Sequence, residues 1–140
     1  MEDLLKLGIQ VAGVSQLLLC VVSFAIPKKL EWSKRTESLV PLIRQMFFTY
    51  AIYILASHFF FGLVCTLFAE ELMSGGAIEL SLLTFMALWW TGRIVCQFFF
   101  FDRTGIPHKP FNKIAEGILV LMFFCLVGVY WGSVIWICMK

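Results

Sequence analysis

Residues 86–102 read Met86-Ala87-Leu88-Trp89-Trp90-Thr91-Gly92-Arg93-Ile94-Val95-Cys96-Gln97-Phe98-Phe99-Phe100-Phe101-Asp102, "MALWWTGRIVCQFFFFD". The run is apolar and aromatic, without the strict apolar–polar alternation of a barrel strand. Extended upstream to about residue 77, it exceeds about 30 Å as a helix, long enough to cross a bilayer. Yet it carries an arginine and a glutamine, where hydrocarbon offers neither one a partner. Four-residue spacing sets Trp89, Arg93 and Gln97 on one helical face, with Met86 close to that stripe.

The rest of the chain repeats the apolar pattern. Of its 140 residues, 61% are hydrophobic and 14% charged, against about 25% charged in soluble domains. With a mean hydropathy of +0.90, this composition is that of an integral membrane protein. Three further apolar runs, at about residues 7–26, 42–68 and 114–137, join the one at 77–101 as spans. The start, "MEDLLKLGIQVAGVSQ", has acids where a signal peptide needs bases, so the first run reads as a retained span. Connections as short as "PKKLEWSKRTES", "AEELMSGG" and "DRTGIPHKPFNK" force neighbouring helices antiparallel. The expected fold is an all-α, up-and-down bundle of four transmembrane helices forming one domain over residues 1–140. Little length remains for a soluble catalytic domain.

Charge predicts the direction of insertion. Lys28, Lys29, Lys34, Arg35 and Arg44 lie in or beside the first connection, and Arg103, Lys109 and Lys113 in or beside the third. The second holds Glu70 and Glu71 and no base. The positive-inside rule puts the first and third connections in the cytoplasm and both termini outside. Lys28, Lys29, Arg103, Lys109 and Lys113 are then placed for contact with lipid headgroups. In the third connection Asp102–Gly105 suits a turn, Pro107 and Pro110 stiffen the passage through His108, and Asn112 is expected to open the fourth helix. A net charge of +2 without a basic stripe argues against nucleic-acid binding.

Arg93 lies about 12 Å inside the cytoplasmic end of its span, so its charge needs compensation or a path to water. Glu116, early in the fourth span, is the candidate counter-charge, and Trp89 is a candidate for stacking on the guanidinium. Arg44, Gln45 and Asn112 share that membrane face and extend the candidate cluster. As a structural device the cluster is an interhelical clamp; as a functional one it is a recess for an anionic or carbonyl-bearing amphiphile. His58, near the middle of the second span, fits a neutral side chain donating one interhelical hydrogen bond. Proton relay, quinone contact and axial metal ligation are its functional alternatives, although His108, the only other histidine, belongs to a connection. Glu79 suits the first turn of the third helix, opposite the helix dipole.

Cys20, Cys65, Cys96, Cys125 and Cys138 are scattered without a C-x-x-C pair, so they read as small buried hydrophobes and no metal site is expected. "GVYWG", with Gly128 and Gly132, has the small-x3-small spacing of close helix packing and is expected to work within the chain.

The absence of a compact nucleophile–base set favours an accessory or scaffold subunit of a larger membrane complex. Its Phe59–Phe61 and Phe98–Phe101 runs are placed to contact acyl chains or neighbouring helices, and the expected partner is another membrane protein or another copy of the chain. No cofactor motif is evident, which leaves a lipid or quinone as the ligand chemistry. A membrane enzyme is the first alternative, with Arg93 stabilising charge and Tyr53, His58 or Glu116 handling protons. An oligomeric channel or transporter component is the second, with His58, Glu79 and Arg93 at successive depths, but no repeated half or filter sequence accompanies them.

In size, four-span plan and basic first connection the chain resembles the membrane-associated eicosanoid and glutathione metabolism family. The resemblance implies a trimer that binds glutathione, with Arg44 or Arg93 as the basic site. The second span lacks that family's Glu-Arg-x-x-Asn pattern, so no functional residue carries over.

Overall fold

Proline or glycine marks where three of the four long helices begin. The computed structural model describes residues 1–101 and 110–140, the side chains of 110–112 excepted. Helix α1 covers Glu2–Ser23, and two short helices follow, α2 at Ile26–Lys29 and α3 at Trp32–Arg35. Glu31 joins them in the left-handed region, at φ 51°. Helix α4 runs from Pro41 to Leu67, with proline at its first position and Val40 in the extended conformation that a following proline favours. The short α5, Ala69–Leu72, leads through Gly75, whose φ of +84° suits glycine, into α6 at Ala77–Val95. A π-helical turn over Cys96–Phe100 ends that span, and α7 covers Pro110–Met139. The fourth helix therefore opens at Pro110, two residues before Asn112, because proline lacks the N–H that a first helical residue leaves unused anyway.

Four helical stretches, Glu2–Lys29, Pro41–Leu67, Ala77–Phe100 and Lys113–Met139, are long and apolar enough to cross a membrane. They pack on one another as an all-helical bundle, with no strand among the described residues. Cross-helix contacts run in opposite order along each neighbouring pair. Gly13 of α1 meets Gly62 and Thr66 of α4, whereas Cys20, further along α1, meets Leu55, earlier in α4. Gln97 and Thr91 reach Glu116 and Trp131 of α7 in the same reversed order, and Glu2 and Leu5 of α1 meet Lys140 and Gly132 at the far end of the chain. The order is that of an up-and-down bundle.

Glycines mark a close backbone approach between α1 and α4. A methyl group added at Gly13 would stand 2.7 Å from the Thr66 backbone nitrogen and 2.8 Å from the Gly62 carbonyl oxygen. One added at Gly62 would lie 3.1 Å from the Gly13 carbonyl oxygen. The glycines of "GVYWG" behave differently: Gly128 has nothing within 4 Å of such a methyl, and Gly132 only the Leu5 side chain at 3.7 Å. Intrachain close packing thus comes from a pair of glycines on different helices, because Gly128 is turned outward.

Burial is concentrated in one band. The buried residues of the four long helices fall within Ile9–Cys20, His58–Cys65, Leu83–Trp90 and Phe123–Val134, and Ala69 and Leu72 of α5 are buried at the end of the band that carries the second connection. Among the described residues none of α4 before His58, none of α6 after Trp90 and none of α7 before Phe123 is buried. The end of the bundle that carries the first and third connections is therefore less tightly filled. Aromatic rings bridge α4 and α6 at the edge of the band, with Phe61 5.7 Å from Trp89 and 5.9 Å from Phe85.

Candidate functional site

Polar side chains inside the spans form two constellations. The first sits in the buried band and joins all four helices. Gln16 of α1 donates from its amide to the Tyr130 hydroxyl oxygen and to the Ala12 carbonyl, while its own carbonyl accepts from the Trp90 indole at 3.3 Å. The Tyr130 hydroxyl lies 3.3 Å from the Cys65 sulfur, and the Cys65 thiol donates to the Met86 sulfur at 3.6 Å. With Tyr130 accepting from Gln16 and Cys65 donating to Met86, the hydroxyl proton is left to point at Cys65. One direction of donation then runs from α1 through α7 and α4 to α6. Gln16, Cys65, Met86, Trp90 and Tyr130 are all fully enclosed, so every polar atom they bring inside has to find its partner in the protein.

His58 adjoins this network. Its ring stacks on Trp90 with centroids 4.8 Å apart, and its Nε2 accepts the Trp89 indole N–H at 3.1 Å. The histidine makes the expected interhelical bond, but as acceptor instead of donor, because the facing indole can only donate. A neutral imidazole with its proton on Nδ1 satisfies that geometry. Trp89 is therefore engaged with His58. The Arg93 guanidinium instead lies over the rings of Phe101 and Phe123, 5.0 and 5.2 Å from their centroids.

The second constellation is built around Arg93, just beyond the band. Arg93 donates to the Gln97 carbonyl oxygen at 3.3 Å, and the Gln97 amide donates to Glu116 at 3.2 Å. The four-residue alignment of Arg93 with Gln97 holds, and Gln97 links the arginine to the acid across α6 and α7. The π turn closes with the Phe101 N–H on the Cys96 carbonyl at 3.1 Å, and the chain then leaves the helix through an extended Phe101. That exit brings the Phe101 ring back against Arg93. Phe123, on the other side, also packs on Trp90 at 5.3 Å, so the guanidinium rests directly against the floor of the buried band.

Arg44 and Gln45 occupy a different place. They line a surface recess of about 570 Å³ with Glu37, Leu39, Pro41, Phe48 and Thr49, and Arg44 donates to the Ser33 carbonyl at 3.3 Å. Lys28 and Lys29, in the last turn of α2, and Lys113 are exposed. Arg103, Lys109, Asp102 and His108 lie outside the described residues, as does the Asn112 side chain. Glu79 stands in the first turn of α6 as expected, its carboxylate folded back over Gly76.

Cys20 and Cys65 are buried, whereas Cys125 and Cys138 are exposed, so the reading of all five cysteines as buried hydrophobes holds only in part. No group of three or more histidine, cysteine or acidic side chains able to hold a metal occurs among the described residues. Cys65 is buried as its apolar surroundings imply, but its place in a polar network, with Gln16 and Tyr130, is not among the expectations from the sequence. A lone amide in "VAGVSQLLLC" was the available signal, since an amide in hydrocarbon needs a partner as surely as an arginine does. Compared with known proteins, the chain matches no family model, no curated protein and no solved structure.

Proposed function

We propose that this chain is a non-enzymatic subunit of a larger membrane assembly, in which the Arg93–Gln97–Glu116 chain is a polar clamp holding α6 to α7. The observation that carries this reading is the mutual pairing of polar side chains within the spans. Gln16 serves Tyr130 and Trp90, Trp89 serves His58, Trp131 donates to Thr91, and Gln97 links Arg93 to Glu116. These groups bond to one another across helices, which is what a structural role requires of polar side chains in hydrocarbon. The apolar exterior supports the same reading: Phe98, Phe99 and Phe100 are 53%, 81% and 75% exposed, and a membrane protein's exposed rings meet lipid or a neighbouring chain.

A second reading places an amphiphile in the less filled end of the bundle, with its polar head on Arg93. It is favoured by the arginine's position at the floor of the buried band. Substitution of Arg93 by glutamine separates the two. The clamp predicts a lower folded fraction of solubilised protein, matched by Glu116→Gln and not made worse when both changes are combined. Unchanged folding together with lost retention of a bound amphiphile supports the second reading and sinks the first.

A further inference from the structure

The first connection is built as a cap. Trp32 packs its indole on Phe47 at 4.9 Å, in an edge-on arrangement, and reaches Phe48 at 6.5 Å. Thr36 is buried and returns its hydroxyl to the Trp32 carbonyl at 2.7 Å. Arg44 ties the first turn of α4 to Ser33 in α3. Two of these contacts, Trp32 on Phe48 and Arg44 on Ser33, hold side chains that line a recess beside α4. The recess opens where a membrane span begins, so it faces the headgroup layer, and this holds whichever way the chain is inserted.

Its lining has a particular chemistry. Arg44 presents a guanidinium with five N–H donors, of which one is engaged by Ser33. Gln45 and Thr49 add neutral polar groups on the same helix, Glu37 adds one carboxylate, and Leu39 and Phe48 supply apolar wall. The stretch of the first connection that precedes it, residues 28–35, adds four basic side chains and one acidic one. The surroundings therefore attract phosphate, while the recess itself contains both a fork for a phosphodiester and an acid for a cation. An anionic headgroup whose charge sits only on the phosphodiester would offer Glu37 neutral hydroxyls and no cation to pair with. A headgroup ending in a quaternary ammonium would give Glu37 no N–H to accept.

We propose that this recess is a binding site for an aminophospholipid headgroup, with the phosphodiester on Arg44 and the primary ammonium on Glu37. The site rests on the membrane-spanning architecture alone and is independent of the subunit reading. Bound there, a lipid would pin the junction of α3 and α4 to the interface through its headgroup and run its chains along Leu39 and Phe48.

The test uses the full chain in nanodiscs of equal parts phosphatidylethanolamine, phosphatidylcholine and phosphatidylglycerol, followed by native mass spectrometry of retained lipid. The expected result is enrichment of phosphatidylethanolamine by severalfold over both others. Arg44→Gln should abolish the enrichment, and Arg44→Lys, which keeps the charge and loses the fork, should retain part of it. Glu37→Gln should leave lipid bound but shift the preference to phosphatidylglycerol. Circular dichroism of each variant separates loss of the site from loss of the fold. Equal retention of the three lipids by the parent chain, or an enrichment that survives Arg44→Gln in folded protein, would overturn the assignment.

Discussion

Gln16 shows how much one amide decides in a bundle without water. It bonds to α7 through Tyr130 and to α6 through Trp90, and Tyr130 passes the connection to Cys65 on α4. Single interhelical hydrogen bonds in membrane proteins contribute about 0.6 kcal/mol on average and about 1.7 at most. Gln16→Leu removes several at once and leaves an enclosed indole N–H without an acceptor, so a loss of about 1–2 kcal/mol is expected. Tyr130→Phe should cost about 1 kcal/mol, since the ring stays and only the hydroxyl goes. The double variant should cost less than the two singles together, because each change already interrupts the same chain of donors. Reversible unfolding in mixed micelles measures all three, and strictly additive losses would show that the network is not a unit.

Among the elements, α1 and α4 depend on a contact that neither shows alone. Gly13 and Gly62 bring their backbones together, and either one read by itself in its own apolar run looks like an ordinary helical glycine. Gly13→Ala should destabilise the bundle by about 1–3 kcal/mol, the usual cost of forcing extra volume into a packed site. Gly128→Ala should instead be neutral or stabilising by up to about 1 kcal/mol, because it adds helix propensity in open space. Thermal unfolding of the two variants side by side checks the contrast, and equal losses would contradict it. The π turn at Cys96–Phe100 was equally hidden: its residues are as apolar as the helix before them, and the widening is visible only in the Phe101-to-Cys96 hydrogen bond. What periodicity and hydropathy did reveal were the spans, because length and apolarity are local properties. The helices that begin at Pro41 and Ala77 start within a residue of their expected positions.

For the whole molecule, the four-helix plan was legible because short connections leave few alternatives to antiparallel neighbours. The site was legible in part. The alignment of Arg93 with Gln97 follows from helical spacing, whereas the exchange of Trp89 from Arg93 to His58 depends on how α4 and α6 rotate against each other. Helix rotation is set by interlocking side chains from all four helices and is not written in any one run. Most inward polar groups are bonded to one another, the buried Trp136 indole N–H having no partner among the described residues, and the outward surface carries exposed aromatics, a division suited to a part of an assembly. The most direct test of that central claim is the mass of the native particle after gentle extraction from its own membrane with a polymer that keeps neighbouring lipid. Recovery of the chain at fixed stoichiometry with another membrane polypeptide is the expected result. Recovery as a lone 16.0 kDa chain that turns over an added amphiphile would contradict it.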